Sequence, residues 1–400
     1  MTSEALPIVR LKRHEDRRIR EGHLWVFSNE IDTGKTPLTE FEPGAEARLE
    51  ASDGKPLGIV YVNPASLIAC RVMSRDSRQR IERSLLTHRV NVAIGLRERL
   101  YGEPSGRLIY GEADRLPGLV VDRFGDVLVG QITTAGMERM REPIASILQE
   151  KLDCSAMIWR NDGAMRGLEG LDSYVTMAFG EQPERLSLTE GGVPFSVAAG
   201  KSQKTGWFFD QRANRDLLAP YVKGRRVLDL FCYAGGWGVR AALAGASAVT
   251  FVDSGEQAIA DVAENVATNG IEARAQILRD DAFRYLEAAL ADGERFDVVI
   301  VDPPAFAKRR KDVKNALNAY RRVNELALRL LDRDGFLVTC SCSHHVRADR
   351  FLDTVLKAGR HVDRQLQRVT LLQQAPDHPV HPAIPETEYL KGAIFRSTVN

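Results

Sequence analysis

Val227-Leu-Asp229-Leu-Phe231-Cys232-Tyr233-Ala-Gly235-Gly236-Trp-Gly238 is the stretch that decides the fold. It begins as an apolar run, passes an acid, and turns through glycines into a helical pattern, so it reads as a strand, a tight turn and a helix. The same rhythm continues downstream. Val249-Thr-Phe-Val-Asp253, Gln276-Ile-Leu278, Val298-Val-Ile-Val-Asp302 and Phe336-Leu-Val-Thr-Cys340 alternate with helical stretches. Near-continuous apolar strands separated by helices imply a parallel sheet covered on both faces, an α/β doubly wound domain.

In such a sheet, ligands bind beyond the carboxyl ends of the strands. Several of these strands end in acids. Asp229 precedes the turn that contains Tyr233, Gly235 and Gly236, where the backbone can approach a ligand beside a helix N-terminus. Asp253 ends the second strand and suits two ribose hydroxyls; Asp280 and Asp281 follow the third and suit an adenine amino group. Each acid alone reads equally well as a helix N-cap. Gly235-Gly236-x-Gly238 does not fit the G-x-G-x-x-G pattern of dinucleotide sites, and Asp229 before the turn favours a cationic ligand over a pyrophosphate. The series of acids therefore points to S-adenosylmethionine as cofactor and ranks a nicotinamide cofactor below it.

The fourth strand runs into Asp302-Pro303-Pro304-Ala305-Phe306. Two prolines take the chain rigidly out of the sheet and hold the Asp302 carboxyl above it. Phe306 is a candidate to stack on a flat heterocycle. The fifth strand ends at Cys340-Ser341-Cys342-Ser343, which sheet order brings near Asp302. A thiolate beside an acid suits C5 methylation of a pyrimidine: Cys342 adds to C6, and protonated Asp302 assists at N3. A helix N-terminus after Cys342 is expected to help ionise the thiol. Cys340, still on the strand, reads as core, and His344 and His345 as polar loop rather than bases.

The remaining totals are those of a folded chain of more than one domain: 400 residues, 44% hydrophobic and 27% charged, with 32 Gly and 17 Pro. No apolar run is long enough for a membrane span, and Met1-Thr-Ser-Glu lacks a secretory pattern. Five cysteines without zinc spacing predict a reduced, cytoplasmic protein with neither disulfides nor metal. The formal net charge is only +1, which by itself argues against a polyanionic partner. Locally the picture reverses. Arg10, Lys12, Arg13, Arg17, Arg18 and Arg20 cluster near the start, and Arg71, Arg75, Arg78, Arg80 and Arg83 further on. Lys308, Arg309, Arg310, Lys311 and Lys314 follow the Asp302 loop, where they suit phosphates.

These motifs bring the chain to a known family. It resembles the bacterial large-subunit (23S) ribosomal RNA (cytosine-C5) methyltransferases that carry an N-terminal PUA domain. The resemblance rests on Gly22-His-Leu-Trp25-Val-Phe27-Ser28, on Gly111–Asp126, on Lys204-Thr-Gly206-Trp-Phe-Phe209-Asp210-Gln211-Arg212, on Asp302-Pro-Pro-Ala-Phe and Ser341-Cys342-Ser343, and on Asp377-His-Pro-Val380 with Pro385–Gly392. It implies an RNA-binding PUA domain over 1–75, a central α+β domain over 76–190, and a Rossmann-type class I methyltransferase domain over 191–400. It also implies Cys342 as nucleophile, Phe209, Gln211 and Arg212 at the cofactor, and Lys12, Arg13, Arg17, Arg18 and Trp25 with Pro303, Pro304 and Phe306 on RNA. A homodimer stays open. Related enzymes carry a second cysteine where this chain has Ala305, so one cysteine must serve here. Two readings compete: methylation of an exocyclic amine, and a non-catalytic RNA-binding assembly factor.

Overall fold

The computed structural model describes residues 5–102, 104–200 and 205–399. Lys204, part of one motif above, lies outside them. Contacts divide the chain into two units, Met1–Pro183 with Asp377–Thr387, and Glu184–Pro376 with Glu388–Asn400. The expected boundary at 190/191 falls inside a hairpin, because Arg185–Glu190 pairs with Val193–Ala198. The tail differs from expectation too. Residues 377–387 belong to the first unit, where Arg97 donates to the Asp377 carbonyl (2.7 Å) and the Tyr110 hydroxyl to that of Thr387 (2.9 Å).

The first unit holds two sheets with separate cores. One is built from Ile8–Arg10, Ala45–Glu50, Pro56–Val62, Cys70–Ser74 and Trp25–Val26; the other from Ser105–Tyr110, Leu119–Phe124, Val127–Ile132, Ala156–Asn161 and Tyr174–Phe179. Glu169 joins them. Its buried carboxylate accepts from Asn63 Nδ2 (2.7 Å), Ser66 Oγ (2.7 Å) and Arg71 (2.9 Å), which compensates the loss of hydration. One helix covers Arg83–Leu100, and two more, Ala135–Arg139 and Arg141–Lys151, are separated by an interruption at Met140. Pro143 accounts for the interruption: it lacks an N–H and its ring crowds the carbonyl four residues earlier.

The second unit carries the sheet that the sequence announces. In chain order its elements are β1 (Arg226–Leu230), α1 (Gly236–Leu243), β2 (Ala248–Asp253), α2 (Glu256–Thr268), β3 (Ala275–Arg279), α3 (Ala282–Ala291), β4 (Phe296–Val301), α4 (Val313–Leu330), β5 (Leu331–Ser341), α5 (Ala348–His361), β6 (Arg364–Gln373) and β7 (Lys391–Val399). The order is β3-β2-β1-β4-β5-β7-β6. Strands β1 to β5 are parallel, as expected. Strand β7 inserts antiparallel between β5 and β6, so the sheet is mixed. Register aligns Leu230 with Val252 and Val301, and Val301 with Thr339. The acids and cysteines that follow these positions therefore emerge along one edge. No helix among the described residues is long and apolar enough to cross a membrane.

Candidate active site

The turn after β1 gathers three positive-φ residues within five positions. Phe231, Tyr233 and Gly235 all take positive φ, at 58°, 50° and 81°. Two non-glycine residues held there represent local strain of the kind that collects at ligand sites. Asp229 organises the turn from beneath. Its Oδ2 accepts the Gly238 N–H at 2.8 Å, while Oδ1 is buried without a hydrogen-bond partner. Burial pushes this carboxyl up to about 8, with Asp302 and Asp253 adding to the rise. Gly238 lets α1 lie against β2: a Cβ there would come within 2.2 Å of the Phe251 ring. Gly238→Ala is accordingly expected to cost about 1–3 kcal/mol by overpacking. Thermal unfolding checks this, and an unchanged midpoint would contradict the packing argument.

Asp253 accepts from the Tyr233 N–H (3.0 Å, Oδ2) and the Gly255 N–H (2.8 Å, Oδ1). Each oxygen keeps a second lone pair, enough for a diol. The pair after β3 divides. Asp280 sits beside β2, its N–H on the Asp253 carbonyl, with its carboxylate paired to Arg284 at 2.5 Å. Asp281 is the N-cap of α3, accepting from the Phe283 and Arg284 N–H groups. The capping alternative is seen at Asp281, with one carboxylate oxygen, Oδ1, accepting both N–H groups.

Asp302 stands past β4. Its Oδ2 accepts from Gln211 Nε2 and from Trp237 Nε1, both at 3.0 Å. Burial raises its pKa above the usual carboxylate range, against the two donors that lower it. Gln211, expected at the cofactor, donates to Asp302 and is itself held by Asn214 (2.6 Å). Trp237 was missed as a site residue, although it lies inside the opening motif. Phe209 and Arg212 are both buried, the guanidinium lying 5.9 Å from the ring centre.

Cys342 is half-buried, and its Sγ lies 3.8 Å from the Pro303 carbonyl oxygen. The serines on either side fix it. Ser341 Oγ donates to the Tyr320 hydroxyl (2.9 Å), which also pairs with Ser343 Oγ (2.9 Å), and Ser343 Oγ accepts the Ala307 N–H (3.1 Å). Tyr320 on α4 thereby ties the cysteine loop to the Asp302 loop. Cys340 is fully buried, and burial holds its thiol neutral, well above the ordinary range. Two expectations change. Helix α5 starts at Ala348, so no helix N-terminus follows Cys342 directly. Phe306 is no free platform: its ring packs on Tyr320 (4.7 Å between centres), with Phe231 and Phe283 beyond. A cavity of about 220 Å³ opens at the other edge of the sheet, lined by Arg226, Ala248, Ala275 and Phe296. It lies at the strands' amino ends, away from these groups.

Among the basic residues, Lys308, Arg309 and Arg310 are exposed just after the Asp302 loop, with Pro304 exposed and Pro303 buried. The first cluster is more neutralised than its sequence implied. Arg17 pairs with Glu21, Arg18 with Glu30 and Arg20 with Asp16, while Lys12 bonds the Asn29 carbonyl and Arg13 is exposed. Arg71, Arg78, Arg80 and Arg83 are likewise engaged, with Glu169, Asp76, Glu46 and Glu150. Trp25 gives its indole N–H to Glu112 (3.0 Å), tying the two sheets of its unit together rather than standing free for a base.

A mixed seven-stranded sheet with a strained glycine turn after β1 and acids along its carboxyl edge is the build of an S-adenosylmethionine-dependent methyltransferase. Residues 166–396 match the family described as S-adenosylmethionine-dependent methyltransferase, and residues 9–75 match a PUA-like domain. The chain is 35% identical over 395 residues to the ribosomal RNA large subunit methyltransferase I of Shewanella denitrificans, covering 97% of this chain and 98% of that one. It is also 35% identical over 394 residues to the protein of that name from Shewanella amazonensis, with 97% and 98% covered. A solved methyltransferase complexed with SAH superposes with a TM-score of 0.82 at 20% identity, covering 98% of this chain and all (100%) of the other, and so shares the fold. The chain belongs to the ribosomal RNA large subunit methyltransferase I family.

Proposed function

We propose that this chain methylates C5 of a cytosine in large-subunit ribosomal RNA through a Cys342 thiolate. The observation that carries the reading is the fixed approach of the half-buried Cys342 sulfur to the Asp302-Pro303 loop, with both loops tied through Tyr320. The Cys342 sulfur bonds to C6 of the ring. The C5=C6 π bond opens, and its electron density passes through the ring to N3, where the Asp302 proton is given or shared. C5 is then nucleophilic. S-adenosylmethionine supplies the electrophilic methyl group. With S-adenosylhomocysteine as the leaving group of that transfer, a base or solvent water then takes the C5 proton, which reforms the double bond and expels the thiolate, while Asp302 recovers its proton from N3. Gln211 and Trp237 hold one Asp302 oxygen and so leave Oδ1 for the base.

Asp229, Asp253 and Asp280 with the 233–236 turn would hold the cofactor. The unpartnered Asp229 oxygen, with Arg215 Nε also buried and unpartnered, fits a zwitterionic amino-acid end. Because the ligand-free Asp229 carboxyl is largely protonated below about 8, a cationic ligand must displace its proton. Affinity is therefore expected to rise with pH, by up to tenfold per unit, and to level off near 8. Calorimetry in buffers of different ionisation enthalpy should show proton release. A flat affinity between pH 6 and 8 without proton release would remove Asp229 from the site.

Residues 1–75, 76–190 and 191–400 serve in this reading as RNA-binding, central and catalytic regions, with the catalytic unit starting at Glu184 by its contacts. The exposed Lys308, Arg309 and Arg310 supply phosphate contacts. Mass-spectrometric mapping of ribosomal RNA from cells with and without the protein tests the proposal. One 5-methylcytidine lost with the protein supports it, and an altered exocyclic amine, or no altered nucleotide, overturns it.

A further inference from the structure

The family motifs leave the tail of the chain without a chemical role, and within it lies a half-buried lysine. Lys391 opens β7, directly across from Ser341 in the antiparallel pairing with β5, and so lies beside the residue that precedes Cys342. Its Nζ donates to the Ser343 carbonyl at 2.6 Å and to the Val346 carbonyl at 2.8 Å. These two bonds hold the 343–346 turn, which directly follows the residue that carries the sulfur. An ammonium has three donors and loses none of its charge to neutral carbonyls. We propose that Lys391 is the positioning residue of the Cys342 thiolate, pinning its loop and placing a positive charge beside the sulfur. This rests on the thiolate reading above.

The surroundings explain why a cation belongs there. Tyr320 from α4 and Cys340 on β5 lie near the Cys342 sulfur, Glu388 just before β7 lies near Lys391, and the Asp302 and Asp210 carboxyls lie near Cys340. Ionised carboxylates disfavour a second negative charge on sulfur, and a neighbouring ammonium opposes them. With α5 beginning only at Ala348, the lysine takes the part expected of a helix N-terminus. Burial pushes the Lys391 ammonium down to about 8, while the Cys342 sulfur and Glu388 pull it up, so the lysine and the thiol are electrostatically coupled.

The test follows alkylation of Cys342 by iodoacetamide against pH, mapped to its peptide by mass spectrometry, in the full-length wild type, Lys391→Met, Lys391→Gln and Lys391→Arg. The inflection is expected to rise by about one pH unit or more in the Met and Gln variants and to stay within a few tenths in Arg. A loop anchor alone would change the rates but not the inflection. If Met fails to fold by circular dichroism, Gln, which keeps an amide donor, makes the same comparison. Overlapping inflections for wild type and the neutral variants overturn the proposal. Covalent trapping of wild type on 5-fluorocytidine RNA with S-adenosylmethionine separates the two levels. No adduct in wild type sinks the thiolate reading itself, whereas an adduct with overlapping inflections sinks only the role of Lys391.

Discussion

Replacing Cys342 by alanine is expected to reduce methyl transfer by roughly 10⁴-fold or more and to abolish the covalent adduct with 5-fluorocytidine RNA. Without the thiolate, C5 of a cytosine has no route to enamine-like reactivity, and removal of a covalent nucleophile costs that order. The fold should tolerate the change, because Cys342 is half-buried past the end of β5 rather than packed in the core. Cys340→Ala is the control. That thiol is fully buried and held neutral, so activity per folded molecule should drop less than about tenfold while stability falls by about 1 kcal/mol or more for the lost packing. Reversal of these two phenotypes would move the nucleophile to Cys340. Full activity in Cys342→Ala would instead favour methylation of an exocyclic amine.

Asp302→Ala is expected to lower kcat by roughly 10²–10⁴-fold, the usual worth of a positioned acid. The pH dependence carries the sharper information. Burial raises the Asp302 pKa, so the carboxyl stays protonated, and able to donate to N3, to a higher pH than an exposed aspartate. It loses that proton as pH rises through the raised value, so the rate should fall on the alkaline side. Asp302→Asn keeps a neutral donor and can still accept from Gln211 and Trp237. It should therefore lose less than alanine and should lack the limb due to Asp302. A loss below tenfold in Asp302→Ala would end the case for Asp302 as the acid.

Much of the site could be read along the chain, and the exceptions share a cause. Asp229, the 233–236 turn, Asp253 and Asp302 were legible because each sits at the end of an apolar run, and sheet geometry sends all such ends to one edge. Asp281 was ambiguous for a local reason: an acid before a helix caps it as readily as it binds a ligand, and here it caps α3. Phe306 was ambiguous because an aromatic in the loop after two prolines can face a ligand or a core, and here its ring packs on Tyr320. Gln211 was placed at the cofactor by a motif, and no local pattern indicated its bond to Asp302, 91 residues away. Lys391 stood in a quoted motif without a role, since no spacing in the tail indicates that the Ser343 carbonyl, 48 residues earlier, accepts its hydrogen bond.

The sequence by itself determined the parallel α/β core, the acids at its edge, the cysteine after its fifth strand and the family. These depend on periodicity and on turn chemistry, which act over a few residues. Only the tertiary structure decided that β7 returns antiparallel beside β5, that residues 377–387 fold with the first unit, and that Trp237, Gln211, Tyr320 and Lys391 surround Asp302 and Cys342. Those choices are made by packing and by the need of each buried polar group for a partner, and the partners here come from segments far apart in the chain.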